Sequence, residues 1–499
     1  MSHKEWCAET SAKLLQEEQR FPTLNEIKDY MITASPSEAT KVANNLELPL
    51  IFDCLNDSNK EQVELACEVL TMCMNQMTLG ESTMKYDTPL ERALNHPFTE
   101  VKLMALKEIE RNIRREEVLT DMCKKHTLLV GVVRCLGDDD VGVAKKAIDI
   151  LTIVGLTASG LNAILSNQVI EPLQEVMAIS EVVRLRVYEL VINIAKESET
   201  NFHALESTGI INQILEELNN SDVLLRMNIV ELLTHFGLTR HGYRFLESSG
   251  VLTKLFSLID VPNDLLNVQL CEPGILKFFG NMAHKKPIEM LSKYPKLFDR
   301  VFSNLESGDL TVIGVSLDTL GIIGSTNEGK CALSSTGNKI TYAIKTIVKL
   351  LPSLPTEVRV RALNCLESLI RVAERKNDML QITRKWYQAF GDEPMEVILR
   401  YAKNPFSEIK LAGLDLLHAV ASHQWGQEEI KNTPGLIEYL LDRNQERIKE
   451  AKELKYEIIK EMSTSILFDQ NTLLRLQEYV KEGPFYVRGV TEVAFEGND

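Results

Sequence analysis

The stretch Gly324-Ser-Thr-Asn-Glu-Gly329-Lys330-Cys331 is where this sequence comes nearest to a nucleotide-binding loop. It reads GxxxxGK, a pattern in which backbone amides cradle phosphates and the lysine reaches the outer ones. Cys331, however, stands where a magnesium-holding Ser or Thr is needed. The residues before it, Ser316 to Ile323, carry a helical apolar period where a P-loop follows a strand. The stretch is therefore read as a structural turn. Metal and nucleophile chemistry find no better support. His235 and His241 are six apart and His418 and His423 five apart, so neither pair has the i, i+4 spacing of ligands on one helical face. No Cys pair has zinc-finger spacing, and Asp138-Asp-Asp140 offers too few spaced carboxylates for calcium. No catalytic, cofactor-binding or metal residue is assigned, no cofactor is expected, and the chain is not expected to be an enzyme.

The elements that would position any site repeat along the chain. Ala163-Ile-Leu-Ser-Asn-Gln168, Ala204-Leu-Glu-Ser-Thr-Gly209 and Phe245-Leu-Glu-Ser-Ser-Gly250 end 41 residues apart in both steps, and Ala332-Leu-Ser-Ser-Thr-Gly337 is a further copy. Polar turns recur with the same period. Each leads into an apolar anchor with a small or apolar residue four positions later: Val63, Val101, Val143, Val183, Val223, Leu270 (weakly), Leu310, Val358 and Ile409. Apolar residues then follow at i, i+3, i+4 and i+7, as in Val183, Val187, Leu190, Val191 and Ile194, which is a helical rather than a strand period. The expected architecture is all-α: an armadillo/HEAT-like α-solenoid, a right-handed superhelix of helical repeats. A lone helical triplet cannot cover its own apolar face, so neighbours must stack. The boundaries expected are an N-terminal helical cap at 1–46, about nine repeats over 47–441, capping helices at 442–482 and a tail at 483–499.

Composition agrees with that class. With 44% apolar and 25% charged residues the chain is neither disordered nor fibrous, and 25 Gly with 16 Pro in 499 residues is scarce punctuation for a sandwich or barrel. Fifty-five basic against 71 acidic side chains give a net charge of −16, which disfavours a nucleic-acid partner. No apolar run is long enough for a membrane span, and Met1 to Arg20 has no apolar signal core, so no membrane partner is expected. Nine cysteines without a CxxC pair point to a reducing compartment: cytoplasmic, with the nucleus as a second location.

Basic residues recur just after the anchors, and Arg184, Arg186, Arg226, Arg359, Arg361 and Lys410 are the candidate partner-binding set. Two readings stand. They pair with acidic turn residues of neighbouring repeats such as Asp222, Glu357 and Glu408, or they form a basic row that receives an acidic partner segment. A nuclear-import adaptor would need Trp and Asn four apart on successive third helices. Trp6, Trp386 and Trp425 are followed instead by Thr10, Phe390 and Glu429.

Several segments taken together carry a family resemblance. They are Arg186-Val-Tyr-Glu-Leu190, Lys277-Phe-Phe-Gly-Asn281, Ile313-Gly-Val315 with Asp318-Thr319, Glu328-Gly-Lys330, Asp442-Arg443 and Glu482-Gly-Pro-Phe-Tyr-Val487. From about Pro49 to Val487 the chain resembles the 26S proteasome non-ATPase regulatory subunit 5 family. The resemblance implies a chaperone of regulatory-particle base assembly. Such a protein binds the C-terminal domain of one proteasomal AAA ATPase subunit, in an intermediate that also holds a second ATPase and the largest non-ATPase base subunit, and leaves before the mature particle forms. By itself the chain is expected to be monomeric. A generic armadillo-repeat scaffold unconnected with the proteasome is the alternative.

Overall fold

Helices form here where apolar residues recur with a period of 3.6, and several open on a capping side chain such as Asp140, Ser180 or Asp222. The computed structural model describes residues 3–260, 265–372 and 377–486, and among them every regular element is a helix. Residues 487–499 of the expected tail lie outside the described residues. The chain divides into two compact units, Met1–Phe245 and Leu246–Asp499.

The first unit opens with helices His3–Leu14 and Glu17–Thr33, joined by Trp6 stacked on Tyr30 with ring centroids 4.6 Å apart. From Pro36–Asn45 onward the helices come in threes, with the third the longest. The third helices are Lys60–Asn75, Thr99–Ile113, Val141–Gly155, Glu181–Ala195 and Val223–Gly237, each packed on the next. Pro36–Asn45, inside the expected cap, packs on Lys60–Asn75 as the first member of such a triplet, opened by a capping box between Ser35 and Glu38. In the second unit the third helices are Leu265–Lys285, Leu310–Gly324, Thr356–Ile370, Ser407–Ala421 and Lys449–Met462. They too pack in order, and Gln470–Glu482 lies on the last. Stacking of like helix on like helix makes the chain an all-α solenoid.

Asp140 and Ser180 cap two third helices with their side chains, while Phe98, Pro355 and Phe406 precede others without a side-chain cap, yet the register is shared. Val101, Val143, Val183, Val358 and Ile409 are each the third helical residue, and each is buried. Two anchors move. Asp222 Oδ1 accepts from the amides of Leu224 and Leu225, and Asp309 Oδ1 from those of Thr311 and Val312. Those caps start the helices at Val223 and Leu310, so the buried third residues are Leu225 and Val312. Leu310 itself is exposed, as is Leu270.

The step from a third helix to the next first helix uses one device four times. A Cβ added at Gly160, Gly242, Gly329 or Gly426 would sit 2.0, 2.1, 1.8 or 1.9 Å from the carbonyl oxygen six residues earlier. Only glycine lets the new helix start against the last turn of the old one. Three residues before three of these glycines, Thr157, Thr239 and Thr326 cap the new helix, each accepting from the glycine amide at 3.0–3.1 Å. The GxxxxGK stretch is one of these turns. It follows the helix Leu310–Gly324 rather than a strand, and the Gly329 amide is already bound by Thr326.

Candidate functional site

The six candidate basic residues fall into two groups of three on adjacent third helices. Arg184 and Arg186 lie on Glu181–Ala195 and Arg226 on Val223–Gly237, in the first unit. Arg359 and Arg361 lie on Thr356–Ile370 and Lys410 on Ser407–Ala421, in the second. The contacts of Arg184, Arg186, Arg359, Arg361 and Lys410 are intramolecular. One position after the anchor, Arg184 Nε meets Glu217 at 2.9 Å and Lys410 Nζ meets Glu446 at 2.9 Å; both acids belong to the following repeat. Lys102 reaches Asp138 in the same way. Arg359 turns back instead and donates to the carbonyls of Leu351 at 2.8 Å and Leu354 at 2.6 Å.

Three positions after the anchor the reach is into the preceding repeat. Lys146 pairs with Glu110 at 3.1 Å, Arg361 forks onto both oxygens of Asp318, and Arg186 donates to the carbonyls of Leu136 at 2.8 Å and Asp138 at 2.7 Å. The 136–140 turn is thus gripped from both sides, by Lys102 before it and Arg186 after it. These partners differ from Asp222, Glu357 and Glu408, the acids nearest in sequence. Arg226 is buried, and the shifted register places it directly after Leu225 rather than three after Val223.

Two lysines that sequence reasoning left unassigned, or placed on a solvated helix, are fully buried. Lys330 Nζ donates to the Gly324 carbonyl and, at 2.7 Å, to that of Ser368. It thereby bridges the C-terminal ends of two adjacent third helices, where the helix dipole favours a cation. Lys455 Nζ donates to the carbonyls of Tyr439 at 2.7 Å and Asp442 at 2.9 Å and lies 4.5 Å from the Tyr439 ring centroid. Burial pushes both ammonium groups down to a pKa of about 8. The sequence signal for Lys455 is its position four after Ala451, the third residue of its helix, where other repeats carry a small or apolar residue. Lys330 is thus fixed as a staple between helix ends, with its amine turned into the fold.

An apolar groove of about 350 Å3 lies beside the short helix Glu81–Lys85, lined by Leu79, Met84, Val118, Met122 and Leu128. Its rim charges pair with one another, Lys85 with Glu81 and Arg115 with Glu117, each at 2.6 Å. Among the described residues no group of three or more His, Cys, Asp or Glu is placed to hold a metal ion, and no single helix is long and apolar enough to cross a membrane.

Sequence comparison extends the resemblance to the N-terminal helices. A family model described as proteasome non-ATPase 26S subunit matches residues 3–499. The 26S proteasome non-ATPase regulatory subunit 5 of Bos taurus is 32% identical over 480 residues, covering 95% of this chain and 95% of its own. The Homo sapiens protein of that name is 32% identical over 92% of this chain and 93% of its own, and the Drosophila melanogaster one 28% identical over 89% of each. Among solved structures, an engineered protein aligns at a TM-score of 0.42 and 16% identity, over 87% of this chain and 99% of its own. A designed armadillo repeat protein in complex with the peptide (KR)4 aligns at 0.38 and 17%, over 50% of this chain and 98% of its own. The solenoid assignment rests on the helix packing described above. By the extent of the family match and the identity of these relatives, the chain belongs to the proteasome non-ATPase 26S subunit family, the family of 26S proteasome non-ATPase regulatory subunit 5.

Proposed function

We propose that this chain is a chaperone for assembly of the 26S proteasome regulatory-particle base. It binds the C-terminal domain of one AAA ATPase subunit, within an intermediate that also contains a second ATPase and the largest non-ATPase base subunit, and dissociates before the mature proteasome forms. The observation that carries this reading is the family match over residues 3–499, with relatives named as regulatory-particle subunits over nearly their whole length. A stacked-helix surface suits the task physically. It offers a broad face to a compact domain, and polar rim contacts permit later release. The candidate basic residues then act in the reading chiefly as braces that hold repeats in register, since their charge is already engaged.

The reading contains no catalytic step and places the protein in the cytoplasm and nucleus as a monomer until it meets its partner. Occlusion is the mechanism it implies: a bound ATPase domain loses the surface with which its ring docks on the proteolytic core. The test is a reconstituted docking reaction. A saturating amount of this protein should slow association of ATPase assemblies with core particles. Unchanged docking would remove the occlusion step. ATP turnover by the purified chain should stay at background and be unaffected by Lys330→Ala.

A further inference from the structure

First helices in this chain bury the fourth of their residues. It is Leu119, Leu161, Phe202, Tyr243, Met290 and Gln427 in six of them, and the stapled Lys330 in a seventh. The first helix Glu81–Lys85 departs from that rule. Its fourth residue, Met84, is 69% exposed, while Ser82 and Thr83 are buried. A polar network accounts for the difference. The Ser82 hydroxyl donates to Glu108, Asn112 Nδ2 donates to Ser82 Oγ at 3.0 Å, and Asn112 Oδ1 accepts from the Gly80 amide at 2.5 Å. Glu108 and Asn112 are themselves buried, and Arg111 forks onto the Glu108 carboxylate. With Ser82 held inward, a residue two positions on lies about 200° around the helix and must face out. Met84 is that residue.

The outcome is the apolar groove beside this helix. Leu79 and Met84 line it from one segment, and Val118 and Met122 from the helix Glu116–Lys125. Two thioethers in the lining can adapt to the shape of a guest. Its volume of about 350 Å3 is at the small end of the range for pockets that bury a ligand. Side chains four apart on a helix have Cβ atoms roughly 5–6 Å apart, a span that such a volume holds.

Charge decides what kind of guest fits. Each charged side chain that lines the groove already has an ionic partner: Lys85 with Glu81, Arg115 with Glu117, Lys125 with Asp87 at 3.7 Å, and Asp121 with Lys124 at 3.0 Å. A charged guest would lose hydration and find no free counter-charge, so a neutral apolar one is favoured.

We infer that the groove beside Glu81–Lys85 receives an uncharged apolar anchor of a partner protein, one or two Leu- or Phe-sized side chains on a single helical turn. The partner is defined by that chemistry alone, so the inference stands apart from the proteasomal reading.

The test uses the full-length protein and a labelled, capped Ala/Gln peptide helix of about four turns carrying Leu at i and i+4, followed by fluorescence anisotropy. Wild type should bind it with an affinity that changes less than twofold between low and high salt. Met84→Asn should bind at least fivefold more weakly with an unchanged melting temperature, because the side chain it replaces is mostly in solvent. Should that variant melt early, Leu79→Asn carries the same expectation. No binding by wild type, equal binding by the variants, or binding that salt abolishes overturns the inference. Cyclohexanol binding as tightly as the peptide would overturn the protein anchor in favour of a small apolar molecule. A concentration-dependent dimer that Met84→Asn dissolves would overturn it in favour of a second copy of this chain.

Discussion

Gly329→Ala isolates the steric device used at four of the turns from a third helix to the next first helix. The added methyl would lie 1.8 Å from the Ile323 carbonyl oxygen, about 1.5 Å inside the roughly 3.3 Å at which carbon and oxygen meet. The obstacle is backbone at the end of a packed helix, so relief requires the turn to open and the Thr326 cap to lengthen. Overpacking of this kind costs about 1–3 kcal/mol and occasionally more, and loss of a cap adds about 1 kcal/mol. The expected total is about 3–4 kcal/mol. Gly435→Ala in the same unit is the control. It has φ +72° and nothing within 4 Å of the new methyl, so it carries only the left-handed backbone penalty of about 1–2 kcal/mol. Urea unfolding followed by circular dichroism, with hydrogen exchange to resolve the repeats, measures both. A Gly329→Ala variant no less stable than Gly435→Ala would refute the steric account.

The buried lysines give a pH dependence with a definite sign. Lys330 folds with a pKa of about 8 against its usual 10.5, so between those values the unfolded chain binds more protons and stability rises with pH. The full gain is about 3 kcal/mol. Burial raises the thiols of Cys54 to about 11 and of Cys67, Cys73 and Cys135 to about 12, which works the other way above pH 9. The lysine effect is therefore read as the difference between wild type and Lys330→Met across pH 8–10, and a pH-independent difference would contradict it. Cys331 is the one exposed thiol of nine. A disulfide reagent should titrate about one thiol in native protein and all of them after denaturation. For the brace on the 136–140 turn, a double-mutant cycle of Lys102→Ala and Asp138→Ala should give a coupling of about 2 kcal/mol, because both side chains are largely buried. Coupling near zero would demote that brace to an incidental pair.

The helical period and the 41-residue recurrence were legible because stacking repeats need the same buried positions each time. Register was harder. Val223-Leu-Leu225 and Leu310-Thr-Val312 place an apolar residue at both ends of a two-residue ambiguity, and only the capping reach of Asp222 and Asp309 decides it. The basic residues after the anchors were visible, but their partners were not. Glu217, Asp318 and Glu446 lie 33 to 43 residues away, and stacking rather than sequence proximity brings them near. Lys455 lies among Glu450, Glu453 and Glu457 on a stretch that reads as solvated. Its burial depends on two carbonyls at the end of another helix, which no residue type announces.

The most direct measurement of the central claim is native affinity purification of the tagged protein from cells. Eluates would be separated by size, identified by mass spectrometry and assayed for peptidase activity. Recovery of a small set of proteasomal ATPases with the largest non-ATPase base subunit, free of core subunits and peptidase activity, is the result expected of an assembly chaperone. Recovery in full-size, peptidase-active particles would contradict it and make the chain a resident subunit.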